Sequence, residues 1–584
     1  MSAPAIDPAV GPRRPALPRI AWLLAPAIAL LSVFFLVPVL RLLVLSVQDD
    51  ISGALTLENF QRIFALDVYT RVLLTTLRIS FVTALLCLVG GYPLAYWLAR
   101  MSPRRRGIVL LLVMLPFWTS YLVKTFAWVI VLGRNGVVNQ LFSGLGMSKL
   151  PMLQSEFAVL LGMVQGLLPI AVLTMLPVML SIDRRLVQAA EILGAHPARA
   201  FWLVYFRLSL PGVASAGLLT FLTALGFFIV PALLGSPRQT LLAQLIITQV
   251  QQVLDWGFAG ALSVLLLAAT ALACWLYDRL FGLSSLSGNA EVRSARGGAP
   301  ARAGAACLAV CARMAVALDN TVSRYVPAVL SSRFLAIYSG LALFVLAAPT
   351  LVVIPIAFTN STFLDFPPSG FSLRWLEHYF TTGVWLEATL RSFGVAFVTG
   401  LLATLLGGLA ALSLSRLTSR LNGFIFNMFL APMIVPRIVL ASGLMYLYGQ
   451  LGLIGTNLGL VIGHTVIALP FTIVTLVAVL KGYDVRLDHA AATLGASPFK
   501  VMRKVMVPLL KEGLIAAFLF AFNTSFDELT IALFVTGGTT ATLPKQMWDE
   551  MFLQLSPMIA AASVVVLLVA IVLLTLSEKL RSDR

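Results

Sequence analysis

Asp527 and Glu528 stand side by side in the segment Asn523-Thr-Ser-Phe-Asp-Glu, inside an otherwise apolar run. Oxygen ligands at that density suit two kinds of chemistry: contact with a passing cation, or an ion pair with a base on another element. The bases exist, Lys124 beyond Pro116 and Arg437 next to Pro436, each again within an apolar run. A charge in hydrocarbon is costly unless it is paired or open to an aqueous cavity. The four residues therefore either line a translocation pathway or hold the molecule together, and both readings stand. Trp118, Tyr121, Trp128, Tyr446 and Tyr448 pose the same choice, since aromatic faces attract organic cations but also pack helices and anchor them at interfaces.

Catalytic chemistry finds little support. His196, His378, His464 and His489 are scattered, and no nucleophile and base recur at a workable spacing. Cys87, Cys274, Cys307 and Cys311 make no disulfide framework, and the helical spacing of Cys307 and Cys311 lacks further metal ligands. A Gly-rich loop ending in Gly-Lys-Ser or Gly-Lys-Thr, needed to cradle ATP phosphates, is absent from the sequence. The expectation is a chain with no catalytic residues, no metal and no cofactor of its own.

The elements that must carry these residues are membrane helices. Of the 584 residues 59% are apolar and 11% charged, against roughly a quarter charged in soluble domains. A helix crosses the hydrocarbon layer in about 20 residues, and twelve runs are long enough: 20–46, 72–98, 108–131, 158–180, 214–235, 257–277, 334–358, 388–412, 424–448, 457–480, 513–535 and 558–577. The start, with Arg13 and Arg14 before an apolar run, lacks a small-residue cleavage pattern and reads as a retained first helix. The formal charge of +17 is a topology signal rather than a sign of nucleic-acid binding: 29 of the 41 Lys and Arg residues fall in one set of loops. That side is expected to be cytoplasmic, with both termini inside.

The chain also repeats itself. Residues 189–211, AAEILGAHPARAFWLVYFRLSLP, correspond to 490–512, AAATLGASPFKVMRKVMVPLLKE, at an offset of 301 that also pairs Gly162 with Gly463 and Pro169 with Pro470. Earlier in each half the offset is 316, as where LPFWTS at 115–120 faces APMIVP at 431–436, and the difference falls in extra loop sequence at 137–157. The expected plan is a tail at 1–19, a first domain at 20–280, a Gly-, Ser- and Arg-rich cytosolic linker at 281–332, a second domain at 333–577 and a short tail at 578–584.

Each repeated passage is a polar loop between spans. Asp183 is placed to cap a short helix over 186–193, Gly194 allows a left-handed stop, and Pro197 suits the start of the next helix. Asp484, Gly495 and Pro498 do the same in the second copy. The product is a compact knob below the bilayer that either covers helix ends or docks into a soluble partner. Leu193, Phe201, Leu494 and Phe499 are expected to hold it to the membrane helices.

These loops resemble the EAA loops of importer permeases of the ATP-binding-cassette (ABC) superfamily: Glu-Ala-Ala, three residues, Gly, and a later apolar-Pro pair. The match lies at Ala189, Ala190 and Gly194, and at Ala490, Ala491, Gly495 and Pro508. It departs at Gln188 and His489, which replace the acidic residue, and at Arg207, where the second copy has Pro508. The likeness continues through PLAYWLAR, PFWTSYLVKTFAWVIVLGRNGVVN and GFFIVPALLG, and through SFDELTIALF and TTATLP, which resemble segments of spermidine/putrescine importer permeases. It implies an all-α protein of two fused six-helix type I permease bundles in a bacterial inner membrane. Ala189, Ala190, Glu191, Gly194, Arg207, Ala490, Ala491, Gly495 and Pro508 would meet two copies of an ATPase subunit, which carry ATP and Mg. A periplasmic or extracytoplasmic solute-binding protein would deliver a polyamine or related cation. The alternative cargoes are an amino-acid derivative, an organophosphonate or a ferric complex.

Overall fold

The computed structural model describes residues 20–49, 52–195, 197–281, 328–417 and 422–582, with Val310, Arg313, Met314 and Ala317 besides. The tail at 1–19, nearly all of the linker, Cys307, Cys311 and His196 lie outside the described residues. What remains is almost wholly helical. Among the described residues ten helices are long and apolar enough to cross a membrane, eleven if the bent pair Asn422–Ile434 and Arg437–Leu451 is one span, and Met558–Leu573 is a shorter apolar helix.

The two halves follow one plan. Helices Asp67–Arg100 and Gly383–Arg416 are each 34 residues long. A hydroxyl in each supports the same backbone position: Thr76 Oγ1 accepts from the Leu242 N–H at 2.9 Å, and Ser392 Oγ from the Leu543 N–H at 2.8 Å. Close helix packing also recurs. A Cβ on Gly212 would meet Val178 at 2.9 Å and one on Gly513 would meet Val479 at 2.7 Å. Lipid provides no hydrophobic drive between helices, so such small residues let backbones approach and gain dispersion contacts instead.

Contacts between the halves are extensive, and the first helix of each reaches across. Tyr338 donates to the Gly90 carbonyl at 2.8 Å, and Gln165 Nε2 to that of Leu346 at 2.9 Å. Conversely Ser413 Oγ donates to the Ile20 carbonyl at 2.9 Å, and Gly443 is pressed against the backbone of Pro38. One continuous apolar core accordingly draws on both halves, from Leu42 and Phe126 to Tyr448 and Phe534.

Two groups of expected spans differ from the sequence reading. The third is two helices, Pro103–Trp118 and Tyr121–Leu132, broken where Ser120 caps the second through its hydroxyl and the Leu122 N–H. Its counterpart bends by 91° before Arg437, because Pro436 has no N–H to donate and disfavours helical geometry at Val435. The runs at 214–235 and 513–535 are also misplaced as spans. The helices there start at Pro197 and Pro498, pass through π-helical turns at Phe201–Phe206 and Met502–Met506, and end at Leu225 and Phe526. The short helices Ile229–Leu234 and Thr530–Val535 are separate elements. Hydropathy finds the apolar residues and misses the helix that continues into polar sequence.

Candidate functional site

The repeated loops fold alike. In the first, Asp183 accepts from the Arg185 N–H at 2.9 Å and opens helix Arg184–Ile192; in the second, Asp484 accepts from the Arg486 N–H at 2.9 Å before helix Arg486–Thr493. Each helix stops on glycine in the left-handed region, Gly194 at φ +87° and Gly495 at φ +80°. The two bonds of a Schellman cap close each end. Ala195 donates to Ala190 and Gly194 to Glu191, Ala496 to Ala491 and Gly495 to Ala492, all at 3.0 Å. Ala189, Glu191, Arg207, Ala490 and Pro508 are exposed, while Ala190 and Ala491 are half-buried.

The apolar tips overturn one expectation. Leu193 is 87% exposed, Leu494 89% and Phe499 64%, so these side chains point away from the membrane helices. Phe201 does hold the first loop, in a group of rings with Tyr92, Tyr96, Trp202 and Tyr205 at centroid distances of 5.1 to 6.4 Å. Helical spacing placed all four as apolar; it did not say which lay beyond the last helix neighbour.

The anchors of the two loops differ chemically, and sequence reading named neither. Arg184 donates to the Ala99 carbonyl at 2.5 Å, near the end of Asp67–Arg100. In the second half the anchor is Asp488, which pairs with Arg416, the last residue of Gly383–Arg416, and accepts from the Tyr483 hydroxyl at 2.6 Å. Burial and then the bond to Asp488 push the Tyr483 phenol up to about 12, so it remains a donor at neutral pH. The available signal was the match of Arg100 with Arg416 at the offset of 316, but the contact itself is tertiary. A hydrogen bond to a charged group contributes about 1.5–3 kcal/mol. Asp488→Ala should therefore loosen the second loop, read as faster amide exchange over 483–495 with membrane insertion unchanged; unaltered exchange would deny the anchor.

The interior charges form one cluster between the halves. Lys124 is buried, donates from Nζ to the Pro116 carbonyl at 2.7 Å and lies 3.8 Å from the centroid of the Tyr121 ring. Tyr121 in turn donates to the Gly166 carbonyl at 3.3 Å and packs edge-on against Phe227. Asp527 is half-buried just past the end of Val507–Phe526, its N–H donating to the Asn523 carbonyl at 3.1 Å, and its polar neighbours are Ser120, Lys124 and Arg437. Glu528 is nearly fully buried and accepts from the N–H groups of Thr530, Ile531 and Ala532 at 2.9, 2.8 and 3.3 Å, which makes it the N-terminal cap of Thr530–Val535. His464 Nδ1 is 2.7 Å from Ser525 Oγ, and its Nε2 is 3.5 Å from Glu528. Arg437 differs from the rest in being exposed.

Neighbouring acids thus have separate surroundings: Glu528 caps its own helix, and Asp527 lies among Ser120, Lys124 and Arg437. The aromatic residues divide too. Tyr448 is fully buried and donates to the Gly459 carbonyl at 2.9 Å, Trp128 is buried, and Tyr446 packs on Trp256. The side chain of Trp118 lies outside those described.

The family model for a binding-protein-dependent transport system inner membrane component matches twice, at residues 91–285 and 403–580. The spermidine/putrescine transport system permease protein PotB of Haemophilus influenzae is 33% identical over 38% of this chain and 79% of its own length. The PotC permease protein of the same kind of system in Escherichia coli is 31% identical over 40% of this chain and 89% of its own. A crystal structure of a bacterial ABC transporter involved in the import of the acidic polysaccharide alginate aligns at a TM-score of 0.40 and 19% identity, over 45% of this chain and 96% of that one.

Proposed function

Because the chain belongs to the family of binding-protein-dependent transport system inner membrane components, we propose that it works as both permease halves of an ABC importer for a polyamine or related small organic cation. It is a multi-pass membrane transport component, not a catalyst. The observation that carries the mechanism is the pair of Schellman-capped loops with Leu193 and Leu494 held out at their tips. Each offers a small apolar knob that fits a cleft on one of two ATPase subunits. The excess of Lys and Arg on the same side supports a cytoplasmic position for both loops and both termini.

Energy then enters from outside the chain. ATP and Mg bind the paired ATPase subunits, whose closure draws the loops together, and hydrolysis resets the access state. The continuous helices from Pro197 and Pro498 carry that movement into the membrane. A periplasmic or extracytoplasmic solute-binding protein delivers cargo and makes the main selection. The polyamine assignment draws on the relatives at 31–33% identity and on the acidic and aromatic residues around Asp527. One observation favours a second reading: exposed Arg437 suits a cargo with an anionic group, such as an amino-acid derivative, an organophosphonate or a ferric complex.

The purified chain alone is expected to show no ATP hydrolysis, and to gain cargo-stimulated hydrolysis and uptake in liposomes with its ATPase and binding protein. Uptake by the chain alone without ATP would reject the mechanism. Thermal stabilisation of the binding protein by spermidine or putrescine, and not by a phosphonate or an amino acid, separates the two cargo readings.

A further inference from the structure

We infer, on the importer reading above, that the extra loop of the first half builds a docking pocket for the solute-binding protein, one that takes a segment with a carboxylate among apolar side chains. This loop, within 137–157, precedes helix Glu156–Ser181, and the first repeated loop follows that helix, so the two lie at its opposite ends. Asn139 is fully buried and holds the loop in place. Its Nδ2 donates to the Gly133 and Leu150 carbonyls at 3.0 and 3.1 Å, and its Oδ1 accepts from the Leu150 N–H at 2.8 Å. Lys149 is thereby brought to Asn135, donating from Nζ to Oδ1 at 2.9 Å. Asn135 also reaches the second half, where its Nδ2 donates to Asp365 at 3.2 Å and its carbonyl accepts from the Phe366 N–H at 3.5 Å. A loop fixed in this way before a partner arrives has little freedom left to lose on docking.

Against the loop lies a cavity of about 530 Å³. Arg134, Lys149 and Leu150 line it from the first half together with Leu233, and Met551 and Leu555 from the second. Among the described residues no carboxylate lines the cavity, and neither base has an ion-pair partner. Large apolar side chains stand exposed next to the lining residues in sequence: Leu145 at 75% and Met147 at 54% on the loop, Phe552 at 58% and Leu553 at 78% in the second half. Exposed apolar surface around a basic concavity suits a protein partner, and charge complementarity makes that partner acidic. A polyamine would be repelled by the same two bases. The wall also sits at a seam, since Phe228 packs on Trp548 of the second half at 5.4 Å and Gln251 donates to the Leu533 carbonyl at 2.7 Å. A seam between the halves favours a protein segment over a lipid headgroup. The second half has no equivalent, because Arg134 falls on Gln450 at the offset of 316 and Lys149 has no counterpart. The charge thus marks one half, and a binding protein that seats here has a single orientation on an otherwise duplicated face.

The test titrates the cognate binding protein, loaded with cargo, onto the assembled importer in liposomes and reads ATP hydrolysis. Arg134→Glu with Lys149→Glu should raise the binding-protein concentration for half-maximal stimulation at least roughly tenfold, with the basal and saturated rates unchanged. Arg134→Gln, which copies the second half, should give a smaller shift, and Arg134→Lys with Lys149→Arg should behave as wild type. High salt should erase most of the difference between wild type and the reversed variant, since exposed charges are screened. Independently, a photoactivatable benzophenone side chain in place of Leu150 should cross-link to one binding-protein segment that contains Asp or Glu. That cross-link is read in the otherwise wild-type chain, so it decides the matter even where charge reversal impairs assembly. Unshifted titration in the reversed variant, or capture of lipid alone at position 150, overturns the pocket while the importer reading stands. A wild-type complex that the binding protein neither stimulates nor cross-links counts against both.

Discussion

Replacing Leu193 and Leu494 together by aspartate is expected to abolish co-purification of the ATPase subunits and to reduce ATP-dependent uptake to background. The chain itself should be untouched, because these side chains are 87% and 89% exposed. Interface anchors of this kind contribute about 2 kcal/mol each on truncation, and about 1.4 kcal/mol is a factor of ten in affinity. Two anchors lost, with a carboxylate forced into each apolar cleft, should weaken association by more than roughly 100-fold. Pull-down from solubilised membranes, with the thermal unfolding midpoint of the chain as control, reads the result. Normal co-purification would remove the loop tips from the docking surface.

Gly194→Val combined with Gly495→Val is the second large effect, and it acts through the backbone. No atom lies within 4 Å of a Cβ built on either glycine, so steric clash contributes nothing. The cost comes from φ values of +87° and +80°, which an L-residue adopts at about 1–2 kcal/mol and a β-branched one less readily still. Each loop helix would lose its Schellman end and swing its tip leucine out of register. Uptake should fall at least roughly tenfold for a cost of that size at each of two loops, with insertion and membrane level retained. Asparagine at both sites, tolerant of left-handed geometry, should restore much of it. If the valine variants keep full uptake, tight turns are not required.

Much of this was legible beforehand because it depends on local chemistry. Gly194 and Gly495 can be read from a glycine closing an Ala-rich helix three residues before proline, and their conformation is a property of a few neighbouring residues. The duplication was equally readable, since equal folding constraints left equal spacings. The break at Ser120 and the bend before Arg437 were harder, because serine and proline occur elsewhere inside continuous helices here, as Pro169 and Pro177 do in Glu156–Ser181. Asp527 and Glu528 show the limit most clearly. As adjacent acids they are interchangeable in the sequence, and only the fold separates them, binding Glu528 to the start of its own helix and leaving Asp527 half-buried beside Lys124 and Arg437.

Sequence by itself therefore determined that the chain is a duplicated set of membrane helices with two glycine-closed loops, because hydropathy, charge sidedness and turn preference act over stretches of a few to some twenty residues. Tertiary structure alone decided which residues meet, Asp488 with Arg416 and His464 with Ser525, and which stay exposed, as Leu193 and Leu494 do. Those outcomes depend on how helices far apart in the chain pack and where each one ends. A side chain of given chemistry becomes an anchor, a helix cap or a docking tip according to the neighbour that packing brings within hydrogen-bonding reach.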